Sequence, residues 1–132
     1  MESLPLFIVF ASYFFIGCAM VLIFLFIYTH ITPHNEWRLI KENNQAAAIA
    51  FIGAFIGYIS PLASAAVHAV SIFDYLIWGV IALIVQLLVF GAAKIYMPKI
   101  SQRIENNELA AGIFLGGISI SSGILNAACM SY

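Results

Sequence analysis

Four long apolar runs occupy nearly the whole chain, at about Leu4–Tyr28, Gln45–Val70, Tyr75–Ala93 and Leu109–Met130. About 20 apolar residues suffice for a helix to cross a bilayer's hydrocarbon core, so each run is long enough to be a span. Hydrophobic residues make up 64% of the chain and charged residues 8%, against about 25% charged in a soluble domain. A water-soluble fold of this length could not hide so much apolar surface, and the bilayer is the expected solvent. The fold class that follows is an all-α membrane protein with four transmembrane helices. The connecting segments are too short for a second domain, so residues 1–132 read as one membrane domain.

All five basic residues lie in two of the three gaps: Arg38 and Lys41 in the first, Lys94, Lys99 and Arg103 around the third. Basic loops stay cytoplasmic, which places both termini outside and these two gaps inside. Tyr28, Trp37 and Tyr96 would mark the inner interface, and Tyr75, Trp78 and Tyr132 the outer one. The opening Met1-Glu2-Ser3 lacks the basic region of a signal peptide and is expected to stay as part of the first span. Trp37 and Ile40 would set a short amphipathic turn on the inner surface, with Arg38 and Lys41 toward headgroups. A bacterial inner membrane is the expected address. Cys18 and Cys129 lie inside apolar runs and do not form a disulfide framework. Net charge is −1, and no basic patch or recognition motif points to nucleic acid.

The chain echoes itself. Lys41-Glu42-Asn43-Asn44-Gln45-Ala46-Ala47-Ala48 precedes the second span, and Ile104-Glu105-Asn106-Asn107-Glu108-Leu109-Ala110-Ala111 the fourth. In that register Asn43 matches Asn106, Phe51 matches Phe114 and Gly53 matches Gly116. The expected architecture is two parallel helical-hairpin repeats, about 1–72 and 73–132, rather than the inverted repeats of many transporters.

Small residues recur at four-residue spacing as Gly53 with Gly57 and Gly112 with Gly116, so the second and fourth spans are expected to pack closely. That packing falls either within one chain or between protomers of a homo-oligomer. The first span is bulky with Phe, Leu and Ile and should face lipid. The Asn pairs suit helix capping; four amides around an inner vestibule is the sharper alternative. Ser71-Ile-Phe-Asp74 reads as a capping box, and Asp74 with His68 is the candidate outer site for a solute or cation. Gln86, Ser119, Ser121 and Asn126 form a candidate polar path along the third and fourth spans, with Gln86 expected to hydrogen-bond a serine. No charged residue falls at mid-membrane, which argues against a buried acid relay. Pro61 removes a backbone N–H and should free the Gly57 carbonyl.

Two catalytic-looking pairs carry little. Ser64 and His68 share one helix, a poor geometry for attack, with no oxyanion site or orienting acid in view. His30 and His34 have ligand spacing, but Pro33 intervenes and no third ligand is apparent. No cofactor, metal or catalytic residue is expected, and the chain reads as a non-enzyme.

The stretches Tyr28-Thr-His-Ile-Thr-Pro-His-Asn-Glu-Trp-Arg-Leu-Ile-Lys41, Ser64-Ala-Ala, Val70-Ser-Ile-Phe-Asp74, Trp78-Gly79, Gln86-Leu-Leu-Val-Phe90 and Leu125-Asn-Ala-Ala-Cys-Met130 resemble the YjfL-like inner-membrane proteins, a family of unknown function. The likeness covers nearly the whole chain. It implies a four-span inner-membrane protein of tandem two-helix units. It also suggests a genomic link with phage-shock-type membrane-stress proteins and ATP-grasp amide ligases resembling glutathionylspermidine synthetase. It supplies no catalytic residues. Two functions follow as expectations. One is an oligomeric membrane component for envelope maintenance, meeting cytoplasmic membrane-stress proteins at its basic loops. The other is a small oligomeric channel or transporter.

Overall fold

A computed structural model describes residues 3–130; Met1, Glu2 and Tyr132, which enter the orientation argument, lie outside the described residues. The elements are α1 (Ser3–Ile31), α2 (Glu36–Lys41), α3 (Gln45–His68), α4 (Ile72–Tyr96), α5 (Ile100–Glu105) and α6 (Leu109–Cys129). Among the described residues, four helices, α1, α3, α4 and α6, are long and apolar enough to cross a membrane. They correspond to the four runs, with α4 reaching beyond its run at both ends.

Local chemistry sets the boundaries. Pro33 follows the end of α1 and Pro98 the end of α4, since proline cannot donate to a continuing helix. Asn35 caps α2 by accepting from Arg38 N at 3.1 Å, and Asn44 caps α3 by accepting from Ala47 N at 2.8 Å. Ser71 accepts from Asp74 N at 3.2 Å, and Asp74 Oδ2 accepts from Val70 N at 3.2 Å. That is the capping box expected at the start of α4, reaching one residue further back.

The two short helices end in the same turn. Asn43 and Asn107 adopt left-handed backbone, φ 64° and 58°. The following amides, Asn44 N and Glu108 N, bond back to Leu39 O and Arg103 O at 2.9 Å each. This is a Schellman closure, with asparagine tolerating the left-handed position. The sequence register, which pairs Asn43 with Asn106, is therefore one residue out at this point: the turn geometry pairs Asn43 with Asn107. Sequence identity had aligned the Glu-Asn-Asn strings, whereas the backbone aligns the residue that must turn left-handed.

Asn107 also caps the other half. Its Oδ1 accepts from Ala46 N at 3.0 Å, and the Asn44 amide donates to Ile104 O and Glu105 O at 2.9 and 3.2 Å. The free N–H groups of α3 and the free carbonyls of α5 are thus satisfied across the molecule.

Helices α3 and α6 run parallel and form the tightest seam. A Cβ placed on Gly53 would lie on the Gly116 backbone, one on Gly57 on the Ser119 carbonyl, and one on Gly112 on Ala46. Gly123 sits against the Gly57 carbonyl, the group Pro61 leaves without its helical donor. In lipid, such close backbone approach gains dispersion contacts that bulky surfaces cannot. Gly117, next to Gly116, meets nothing.

Helix α1 contrasts with this seam. Its buried residues lie along one strip, Gly17, Met20, Phe24, Leu25 and Tyr28, with Gly17 set against the Tyr75 hydroxyl. Phe24 stacks on Tyr58 with centroids 4.4 Å apart, and Tyr28 meets Phe90 edge-on at 5.9 Å. Tyr58 closes the layer by donating to Gly79 O at 3.2 Å. Phe7, Phe10, Phe14, Phe15 and Phe26 are exposed, in keeping with a helix turned to lipid.

Candidate functional site

The basic end, which carries Arg38, Lys41, Lys94, Lys99 and Arg103, holds a polar cluster closed off from water. Pro33 breaks the chain out of α1, and Asn35 restarts it as α2. This tight turn folds Thr32, His34 and Glu36 inward while Pro33 and Asn35 stay exposed. Helix α5 brings Ser101 against His34. His34 is 2% exposed and Glu36 1%.

Thr32 Oγ1 lies 2.8 and 2.7 Å from the two Glu36 carboxyl oxygens. With a single hydrogen it donates to one of them at a time. His34 Nδ1 meets Ser101 Oγ at 3.0 Å, a bond between the two halves of the chain. His34 Nε2 stands 3.8 Å from Glu36 Oε2, close enough for attraction between charges but too far for a hydrogen bond. Burial decides the charge state against that attraction. It pushes the Glu36 carboxyl up to about 7, with Thr32 and a backbone N–H pulling the other way. It pushes the His34 imidazole down to about 4. Near pH 6 both groups are therefore neutral in place, and the contact is not a salt bridge. The Tyr28 hydroxyl, one turn before Thr32 on α1, is buried without a hydrogen-bond partner.

Sequence reasoning missed this cluster. The signal present was the excess length of the first gap and the polar string Thr-Pro-His-Asn-Glu within it. Those residues suit an aqueous loop equally well, and nothing local shows that tertiary packing will bury them.

The other candidates fall as follows. Gly53, Gly57, Gly112 and Gly116 all lie on the seam between α3 and α6 of one chain. Gln86 and Ser119 come together: Gln86 Nε2 donates to the Ser119 backbone oxygen at 3.2 Å, so the partner is a serine but through its carbonyl. Gln86 Oε1 and Asn126 Nδ2 are buried without partners. Ser121 is exposed and bonds back to Gly117 O at 2.8 Å, so it is turned away from Gln86. At the far end Asp74 serves the cap of α4. His68 Nδ1 lies 2.9 Å from Ser64 O, and Ser64 Oγ donates to Ala127 O at 3.3 Å. Among the described residues no group of three or more His, Cys, Asp or Glu side chains could hold a metal ion.

Residues 2–130 match the family described as Domain of Unknown Function (DUF350). The chain is 57% identical over 132 residues, the full length of both, to the UPF0719 inner membrane protein YjfL of Escherichia coli (strain K12). The chain belongs to this family of YjfL-like membrane proteins. A more distant member, the UPF0719 transmembrane protein YshE of Bacillus subtilis (strain 168), is 27% identical over 124 residues, 89% of this chain and 90% of the relative. No solved structure matches. The family is uncharacterised, so the YjfL-like fold carries an expectation about the membrane but none about chemistry.

Proposed function

We propose that this YjfL-like protein is a non-enzymatic, multi-pass component of the bacterial inner membrane that pairs laterally with a second copy. Its termini are extracytoplasmic, and its basic turns face cytoplasmic partners engaged in envelope maintenance. The observation that carries the pairing is an apolar groove of about 950 Å³ beside α1, bordered by Tyr13, Gly17, Cys18, Phe55, Ile59 and Ala66. Exposed apolar side chains alone do not discriminate lipid from protein, because lipid tails are as apolar as leucine. A groove of fixed shape favours a rigid protein surface, which fills it at lower entropic cost than a fluid chain. Phe10 and Phe14, stacked at 5.7 Å, form one wall of this groove, so a second copy related by a two-fold axis would set its own α1 wall into the groove of the first. The charge of the basic turns supports the orientation. The envelope role leans on the family resemblance.

Cys18 borders the groove and is exposed. In a Cys129→Ser background, oxidation in native membranes should trap a Cys18–Cys18 dimer, and native mass spectrometry from lipid nanodiscs should show the pair. A monomer in nanodiscs with no trapped dimer would overturn the pairing. A phosphatase fused to the C-terminus should be active outside the cytoplasm; activity confined to the cytoplasm would reverse the orientation.

A further inference from the structure

The cluster at the basic end withdraws two ionisable side chains from water. Around it the charged groups are solvated or paired. On α2, Arg38 meets Glu42 at 3.5 Å, both exposed, and Lys41 is exposed. On α5 and after it, Arg103 meets Glu108 at 2.9 Å, and Lys99 and Glu105 are exposed. Lys94 of α4 is exposed as well. The first turn of α3, Gln45-Ala46-Ala47-Ala48, has nothing to titrate. The titratable groups that face Glu36 are Tyr28 from α1 and His34 from the turn.

We propose that His34 and Glu36 form a proton-binding pair, which holds one proton on Glu36 while the turn between α1 and α2 is docked on α5, and on His34 when that turn lifts into water. The geometry suits both states. The Thr32 hydroxyl accepts from a protonated Glu36 or donates to an ionised one without moving, because a hydroxyl does both. Docked, a neutral acid and a neutral imidazole are buried without charge. An ionised Glu36 would keep only Thr32 and a backbone N–H, a costly burial that exposure of the turn to water relieves. On lifting, the carboxyl O–H gives up its proton and the imidazole nitrogen takes one, so the proton count is unchanged.

That balance has a measurable consequence. The Glu36 carboxyl rises from 4.5 to about 7 on docking, and the His34 imidazole falls from 6.5 to about 4. Between pH 4.5 and 6.5 docking therefore neither takes up nor releases a net proton, and it is insensitive to pH. Removing one partner exposes the other. In His34→Gln only Glu36 titrates, its docked form binds the extra proton, and docking weakens as pH rises from 4.5 to about 7. In Glu36→Gln only His34 titrates, its undocked form binds the extra proton, and docking strengthens as pH rises from about 4 to 6.5. Each slope should amount to about three-hundredfold in the docking equilibrium between the two limits of its titration.

Trp37, adjoining Glu36 and edge-on to Phe51 at 4.9 Å, reports the turn by its fluorescence once Trp78 is replaced by Phe. In bilayers the parent should hold a flat profile between pH 4.5 and 6.5, and the two variants should slope in opposite directions. Infrared spectroscopy of the parent should show a protonated carboxyl in that window that disappears near neutrality and is missing from Glu36→Gln. Matching profiles in both variants, or no carboxylic acid band assignable to Glu36, would overturn the pair. Should a variant fail to fold, the infrared titration of the parent decides alone.

Discussion

Helices α3 and α6 meet backbone to backbone, while α1 touches the rest along a strip made, Gly17 apart, of larger side chains. Both regions are apolar, and both sit in the same solvent, so hydrophobicity does not separate them. What differs is side-chain size at the contact. Where the solvent is hydrocarbon, burying a leucine against protein rather than lipid gains little, and only closer packing favours one neighbour over another. Glycines give the α3–α6 seam that closeness; the phenylalanines of α1 hold neighbours away and leave a groove. The tight seam reads as scaffold, and the loose helix is the face on which the proposed pairing rests.

The sharpest way to break this comparison lies in two adjacent residues of α6. Gly116→Leu should force α3 and α6 apart, at or beyond the upper end of the usual overpacking cost of about 1–3 kcal/mol. Gly117→Leu, which points where nothing lies within 4 Å, should melt like the parent. Ala19→Leu, on the exposed side of α1, should do the same. Gly53→Leu should behave like Gly116→Leu, since the two glycines meet each other. Thermal unfolding in detergent reads all four, and equal melting of Gly116→Leu and Gly117→Leu would sink the seam.

A middle-sized effect belongs to the cross-brace at the basic end. Asn44→Ala removes the α3 cap and both bonds to the end of α5, and should cost about 1–2 kcal/mol. Asn107→Ala removes the cap on Ala46 and also puts alanine in the left-handed position at φ 58°, so it should cost a similar amount, about 1–2 kcal/mol. Asn106→Ala, the position that sequence alignment would choose, should be near neutral because Asn106 is exposed. If Asn106 proved the sensitive one, the turn register above would be wrong.

The smallest effect is expected at Gln86. Gln86→Leu loses the bond to Ser119 O, worth about 0.6 kcal/mol for interhelical bonds in a membrane, and also removes a buried oxygen without a partner. Stability should move by less than about 1 kcal/mol either way. Liposome flux tests the channel reading at the same residue: solute or ion flux that fell in Gln86→Leu would favour a path there.

Long-range features of the membrane fold were legible because they need no tertiary information. Four runs of sufficient length must each become a helix, since a spanning segment has to satisfy its own backbone hydrogen bonds. Local stops and starts were legible for the same reason: Pro33, Pro98, Asn44 and Ser71 act on their own neighbours. The glycines at Gly53, Gly57, Gly112 and Gly116 announced a close contact by spacing alone. Which helix filled the space, within one chain or between two, was undecided until the fold brought α3 beside α6. Gly123 was overlooked because its partner, the Gly57 carbonyl freed by Pro61, lies on another helix. The second asparagine turn was misregistered by one residue, because identity of letters does not report which residue turns left-handed. The buried acid is the extreme case. A glutamate next to tryptophan and arginine in a polar loop is expected in water, and only the tertiary packing that puts α2 against α3 and Ser101 of α5 against His34 withdraws it. Burial depends on what arrives from elsewhere in the chain, and it is burial that turns an ordinary loop carboxyl into one that holds its proton near neutrality.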